Sequence, residues 1–152
     1  EELVSRAIIF RIIEAALGSW LALLISALLF GAAHISNPNA GWFSSFAIAI
    51  EAGILLGAAF MLTRNLGFCV GIHWSWNFVQ GGVFSIAVSG EKAQGWIQST
   101  SQGPAWLTGG EFGAEASLVA LLLATTAGVL ILRMAIKRQQ LIKPFWKRQQ
   151  AD

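Results

Sequence analysis

Two adjacent carboxylates open the sequence, and two histidines follow at wide intervals. The candidate catalytic residues are Glu1, Glu2, Arg6, His34, His73 and Asn77. Carboxylates and imidazoles are the side chains that most often move protons in enzymes, while arginine and asparagine bind charge or donate hydrogen bonds. Such a set has the groups needed to activate a water molecule and to stabilise the oxyanion that forms when water attacks a carbonyl.

The spacing within the set divides these residues into pairs. Glu2 and Arg6 are four positions apart, so on a helix they lie on one face and form an ion pair. That pairing keeps Glu2 ionised and leaves Glu1 available as a base. His73 and Asn77 are also four apart, and we expect both to donate hydrogen bonds from one helix face.

The composition places this chemistry in a membrane. Of the 152 residues, 55% are hydrophobic and only 12% are charged, about half the charged share of a soluble domain. Seven Trp and ten Phe accompany no Tyr. An ionisable side chain inside a membrane span is costly, so each one is a functional candidate. The composition therefore predicts an integral membrane protein.

Four apolar stretches are long enough, or nearly so, to cross a bilayer as helices. They cover residues 19–34, 42–63, 66–88 and 115–136, and residues 1–17 precede them as a membrane or interfacial helix. We predict an all-α, polytopic membrane helix bundle of about four spans plus this N-terminal helix. Residues 1–152 form a single catalytic membrane domain, which we expect to be the C-terminal part of a longer polytopic protein.

Gly18 decides whether the candidate residues meet. In one straight helix Glu1 and His34 would lie roughly 50 Å apart at about 1.5 Å per residue. A hairpin at Gly18 brings both glutamates level with His34. His73 poses a further difficulty, because straight helices would separate its depth from that of His34 by roughly 15 Å. We therefore expect the span 19–34 to end inside the membrane, with residues 35–41 buried in protein.

Basic residues predict the orientation. Six of the ten Lys and Arg residues lie between Arg133 and Arg148, directly after an apolar stretch. A nucleic-acid-binding arm is the alternative, but a basic tail at 133–152 beside a span is typical of a cytoplasmic flank. We predict a cytoplasmic C-terminus, contact with membrane lipid and no nucleic-acid partner.

Three short motifs carry a resemblance to a known family. Glu1-Glu2-x-x-x-Arg6, Phe30-x-x-x-His34 and His73-x-x-x-Asn77 resemble, in this order, the pattern of the CAAX protease and bacteriocin-processing family of intramembrane proteases, also called the Abi family. The resemblance implies hydrolysis of a peptide bond in a membrane-associated protein or peptide, prenylated CaaX-type substrates included, in a bacterial plasma membrane. It implies a water activated by Glu1 and His34, an oxyanion held by His73 and Asn77, and support from Glu2 and Arg6.

Two questions stay open at this point. Glu1, His34 and His73 would also make an acceptable catalytic zinc set, so a metal-free and a zinc-dependent mechanism are both possible. The function has alternatives too: a non-catalytic scaffold or bacteriocin self-immunity protein, and a transporter that uses Glu51 with the histidines. The transporter hypothesis makes Glu51 essential, whereas the protease hypothesis predicts that Glu51→Gln is tolerated.

Overall fold

The computed structural model describes residues 1–148, so the last four residues of the predicted basic tail, 149–152, lie outside the described residues. The described part contains no β-strand and confirms the all-α prediction. Its helices are α1 (Leu3–Ala33), α2 (Trp42–Thr63), α3 (Leu66–Asn77), α4 (Ala105–Thr108), α5 (Leu118–Lys137) and α6 (Phe145–Arg148). A π-helical turn, Phe78–Val83, extends α3, and a 3₁₀ turn, Ala114–Ala116, precedes α5.

Three of these helices, α1, α2 and α5, are long and apolar enough to cross a membrane. The predicted span 66–88 is helical from Leu66 to Val83, and it carries His73, Asn77 and Gln80. The helix α1 includes both the predicted N-terminal helix and the predicted first span. These helices make the chain an integral membrane protein.

The helix α1 is a hairpin. Gly18 has φ +81° and ψ 170°, so the chain reverses there into two arms, residues 3–17 and residues 19–33. Only glycine adopts this φ readily. A Cβ at this position would lie 2.8 Å from the backbone nitrogen of Pro144. Arg6 Nη1 on the first arm donates to Ser26 Oγ on the second at 3.4 Å. The predicted hairpin is therefore present.

The second helix packs closely against the second arm of the hairpin. A Cβ on Gly53 would lie 2.7 Å from that of Ala27, so only a glycine permits this approach. Phe10 from the first arm meets Phe60 edge to face, with ring centroids 5.6 Å apart. Phe10 and Phe60 belong to a buried apolar cluster that packs the arms against α2.

Buried polar contacts fasten the Gly18 end of the hairpin. Glu14 accepts a hydrogen bond from Ser19 at 2.5 Å and forms an ion pair with Arg64. Ser19 accepts from the backbone of Ile142 at 2.8 Å, and Arg64 Nη2 donates to the carbonyl of Gln140. The turn after α2 and the segment after α5 thus lie beside the hairpin turn.

Loops close the opposite end of the bundle. The carboxylate of Glu115 accepts from the backbone and the hydroxyl of Ser89, at 2.5 Å and 3.0 Å. Asn37 donates to the carbonyl of Ser89 at 3.0 Å. The expectation that residues 35–41 are buried is wrong, because every one of them is exposed or half-buried. They are surface loop, and His34 is the last buried residue before them.

Candidate active site

Glu2 and Arg6 form a fully buried ion pair one helical turn apart. Arg6 Nε donates to Glu2 Oε2 at 3.0 Å, and the Arg6 and Glu2 side chains are 0% and 3% exposed. The guanidinium also lies near the carbonyl of Ala52 on α2, at 3.5 Å. The pair predicted from the four-residue spacing is present, and it also cross-links the first arm to α2.

Phe30, the aromatic residue of the Phe30-x-x-x-His34 motif, contacts three residues of the candidate site. The Arg6 guanidinium carbon lies 5.2 Å from the centroid of its ring, which is within cation–π range. The same ring lies 4.9 Å from the ring of His34 and 5.9 Å from that of His73. Phe30 is buried, so it fills the space between the arginine and both imidazoles.

Glu1, His34 and His73 meet at one oxygen atom. Glu1 Oε2 lies 3.9 Å from His34 Nε2 and 3.6 Å from His73 Nε2. Glu1 lies just before α1, His34 directly follows α1, and His73 lies in α3. The structure therefore brings them together despite their separation in sequence and the difference in depth expected from straight helices. The Glu1 side chain is 58% exposed, whereas that of His34 is 7% exposed.

Each histidine is held through its other ring nitrogen. His34 Nδ1 lies 2.7 Å from the carbonyl oxygen of Phe30. A carbonyl oxygen only accepts, so this nitrogen carries the hydrogen. His73 Nδ1 donates in the same way to Glu2 Oε1 at 3.1 Å. Both Nε2 atoms are thereby directed at Glu1. The sequence spacing predicts the contact of Glu2 with Arg6 but not the contact of Glu2 with His73.

Asn77 lies one turn beyond His73 and lines the same cavity as both histidines. This cavity has a volume of about 40 Å³, and a space of this size can hold water. Asn77 Oδ1 is buried and has no hydrogen-bond partner within residues 1–148. Gln80, by contrast, donates to the carbonyl of Ala87 at 2.5 Å and so holds a loop.

Two further carboxylates line this cavity. Glu51 is buried, and its Oε2 has no hydrogen-bond partner in the described chain. Glu115 is also buried and is bound by Ser89. The sequence raised Glu51 as a candidate but not Glu115. One feature of the sequence could have indicated Glu115. It lies two residues before Ser117, and the side chain of Ser117 caps the apolar helix α5.

Zinc binding by Glu1, His34 and His73 depends on how closely their donor atoms approach one another. Within residues 1–148 no group of three or more His, Cys, Asp or Glu side chains has an arrangement that could hold a metal ion. Glu1 Oε2 lies 3.9 Å from His34 Nε2 and 3.6 Å from His73 Nε2, slightly farther than neighbouring donors around a tetrahedral zinc ion, so zinc binding would require these side chains to move closer together. The 3.9 Å between Glu1 Oε2 and His34 Nε2 lets one water molecule placed beside them form hydrogen bonds to both.

An open cleft of about 410 Å³ gives access to Glu1 and His34 from one side. Half of the residues that line it are apolar and come from both hairpin arms, namely Val4, Ile9, Leu29, Phe30 and Ala33. The exposed carboxylate of Glu1 is therefore reached through a partly apolar opening.

Comparison with known proteins assigns the family. A family model described as "Type II CAAX prenyl endopeptidase Rce1-like" matches residues 1–79, which is just over half of the chain and includes all six predicted site residues. Searches of curated proteins and of solved structures each found no match. The chain belongs to the Rce1-like family of type II CAAX prenyl endopeptidases.

Proposed function

We propose that this protein is an intramembrane endopeptidase that hydrolyses a peptide bond of a membrane-associated protein or peptide, with prenylated CaaX-type proteins as the substrate class. The observation that carries the proposal is the meeting of Glu1, His34 and His73 at one carboxylate oxygen. Membership of a family of prenyl endopeptidases supports the same reaction.

Glu1 and His34 activate the water in this mechanism. Both Glu1 Oε2 and His34 Nε2 accept hydrogen bonds, because His34 carries its hydrogen on Nδ1. A water molecule between them therefore donates to both and directs a lone pair outwards. Glu1 takes the proton as the water oxygen bonds to the substrate carbonyl carbon, and it later gives that proton to the leaving amine.

His73 and Asn77 stabilise the oxyanion. His73 donates to Glu2 through Nδ1, so it donates from Nε2 only in its doubly protonated form. The carboxylate of Glu2 stabilises that positive charge, and the Asn77 amide supplies a second donor. Such donors act when negative charge develops on the carbonyl oxygen, which accelerates the reaction.

We also propose that the C-terminal end of the bundle faces the cytoplasm. Arg11, Arg64 and Arg148 line one cleft at the Gly18 end, and the basic residues after Arg133 lie in or next to the segment that docks there. An excess of Lys and Arg marks the cytoplasmic side of membrane proteins.

The test is cleavage of a panel of lipidated peptides by the purified full-length protein. Glu1→Gln, His34→Ala and His73→Ala should each reduce the cleavage rate by at least about 100-fold, the scale of general acid–base catalysis. Glu91→Gln removes an exposed carboxylate and is the matched control. Three variants that still cleave at wild-type rates would show that the assignment is wrong.

A zinc chelator added to the same assay tests the metal. We expect the rate to stay unchanged, since the proposed mechanism activates the water with Glu1 and His34 alone. Loss of activity that added zinc restores would contradict this expectation.

A further inference from the structure

A second cleft lies at the end of the bundle away from the candidate active site. It has a volume of about 640 Å³, within the usual range of small-molecule sites. Three arginines line it together with one acidic residue, Glu14. Glu14 is buried and paired with Arg64, so the cleft keeps a net charge of +2 (three arginines less one carboxylate).

Arg11 is the side chain that most requires an additional partner. It lies on the membrane helix α1 and is exposed, and it has no hydrogen bond or ion pair within residues 1–148. The cleft wall around it includes the apolar residues Ala7, Phe60 and Leu66. A cation at the edge of the hydrocarbon region is stabilised by reaching an anion in the headgroup layer.

Arg64 and Arg148 each keep N–H donors that no protein group within residues 1–148 uses. Arg64 uses one nitrogen for Glu14 and another for the Gln140 carbonyl, and Arg148 donates to the carbonyl of Ala15. A guanidinium carries five N–H donors, and paired donors suit phosphate oxygens. Trp20 and Trp146, which are both exposed, flank this end as interfacial tryptophans do.

We propose that this cleft binds the phosphate headgroup of an anionic phospholipid. The headgroup lies between Arg11, Arg64 and Arg148, while the acyl chains follow the exposed apolar surface of α1. Because Arg64 and Ile142 also fasten the Gly18 turn, bound lipid holds the hairpin that carries Glu1 and His34. The proposal does not depend on the proposed proteolytic activity.

Native mass spectrometry of the purified full-length protein tests the site, with phosphatidylglycerol, phosphatidylcholine and inorganic phosphate as probes. We expect phosphatidylglycerol to be retained preferentially and to raise the unfolding temperature. Arg11→Gln should weaken its retention roughly fivefold, the effect of one basic residue at an anionic surface. The Arg11 side chain has no hydrogen bond or ion pair within residues 1–148 to lose, so the lipid-free unfolding temperature should change little.

Two matched variants remove the same charge elsewhere. Arg133→Gln removes a charge near the C-terminal end of α5 but outside the cleft. Lys92→Gln removes the charge of an exposed residue in the loop between the π-helical turn and α4. Neither should alter lipid retention. The proposal is overturned if Arg133→Gln weakens retention as much as Arg11→Gln, if phosphatidylcholine is retained equally, or if inorganic phosphate alone raises the unfolding temperature and displaces the lipid.

Discussion

Glu2 and His73 are 71 positions apart in sequence, yet Glu2 Oε1 lies 3.1 Å from His73 Nδ1. The other oxygen of the same carboxylate is held by Arg6 at 3.0 Å. Glu2 therefore joins a buried cation to a histidine of the candidate site. Through this contact the first and third sequence motifs become one structural unit.

Glu2→Gln should lower kcat about 100-fold while leaving KM nearly unchanged. The amide keeps the shape of the side chain, but it cannot stabilise a positive charge on His73 in the transition state. Steady-state kinetics on a lipidated peptide measures kcat and KM separately. Glu14→Gln is the control, because Glu14 is also buried beside an arginine but lies at the other end of the hairpin. An unchanged kcat in Glu2→Gln would remove Glu2 from the mechanism.

Arg6→Met should lower the free energy of unfolding by about 3–5 kcal/mol, the cost of leaving one member of a buried ion pair without its partner. Denaturant or thermal unfolding in detergent measures the loss. The double variant Glu2→Gln with Arg6→Met should be more stable than Arg6→Met alone, since no unpaired charge is then buried. Equal stability of the two variants would indicate that Glu2 is not the group that Arg6 stabilises.

Asn77→Ala should reduce kcat by about 100- to 1,000-fold with little change in KM, as expected when one oxyanion donor is removed. Ser75→Ala is the matched change on the same helix, where the hydroxyl donates to the carbonyl of Gly71 and has no other partner within residues 1–148. Its activity should remain at the wild-type level. An Asn77 variant with normal kcat would assign oxyanion stabilisation to His73 alone.

Glu51→Gln should keep most of the proteolytic activity, because the proposed water and oxyanion sites use other side chains of this cavity. The amide keeps the size and polarity of the side chain, so the unfolding temperature should change little. Cleavage and proton uptake are measured together in liposomes. Loss of proton uptake with Glu51→Gln, without any cleavage by the wild-type protein, would favour the transporter hypothesis.

The hydrophobic pattern determined the fold class, because long apolar stretches in this composition form membrane helices. Spacing by four likewise determined the Glu2–Arg6 pair, since residues one helical turn apart are neighbours whatever the rest of the chain does. Span number was harder to predict. The helix α3 carries polar residues and is not among the helices that are long and apolar enough to cross a membrane. The helix α1 is long enough, but the break at Gly18 divides it into two arms.

The sequence by itself thus determined a helical membrane protein, the three motifs and the ion pair inside the first motif, all of which depend on neighbours within a few residues. Only the tertiary structure decided that His34 and His73 share one oxygen of Glu1, that Glu2 orients His73, and that Glu51 and Glu115 line the cavity behind them. These contacts depend on how the Gly18 hairpin, α2 and α3 pack together. Helix periodicity cannot encode that packing, because it fixes the face of each helix but not its depth or tilt against the others.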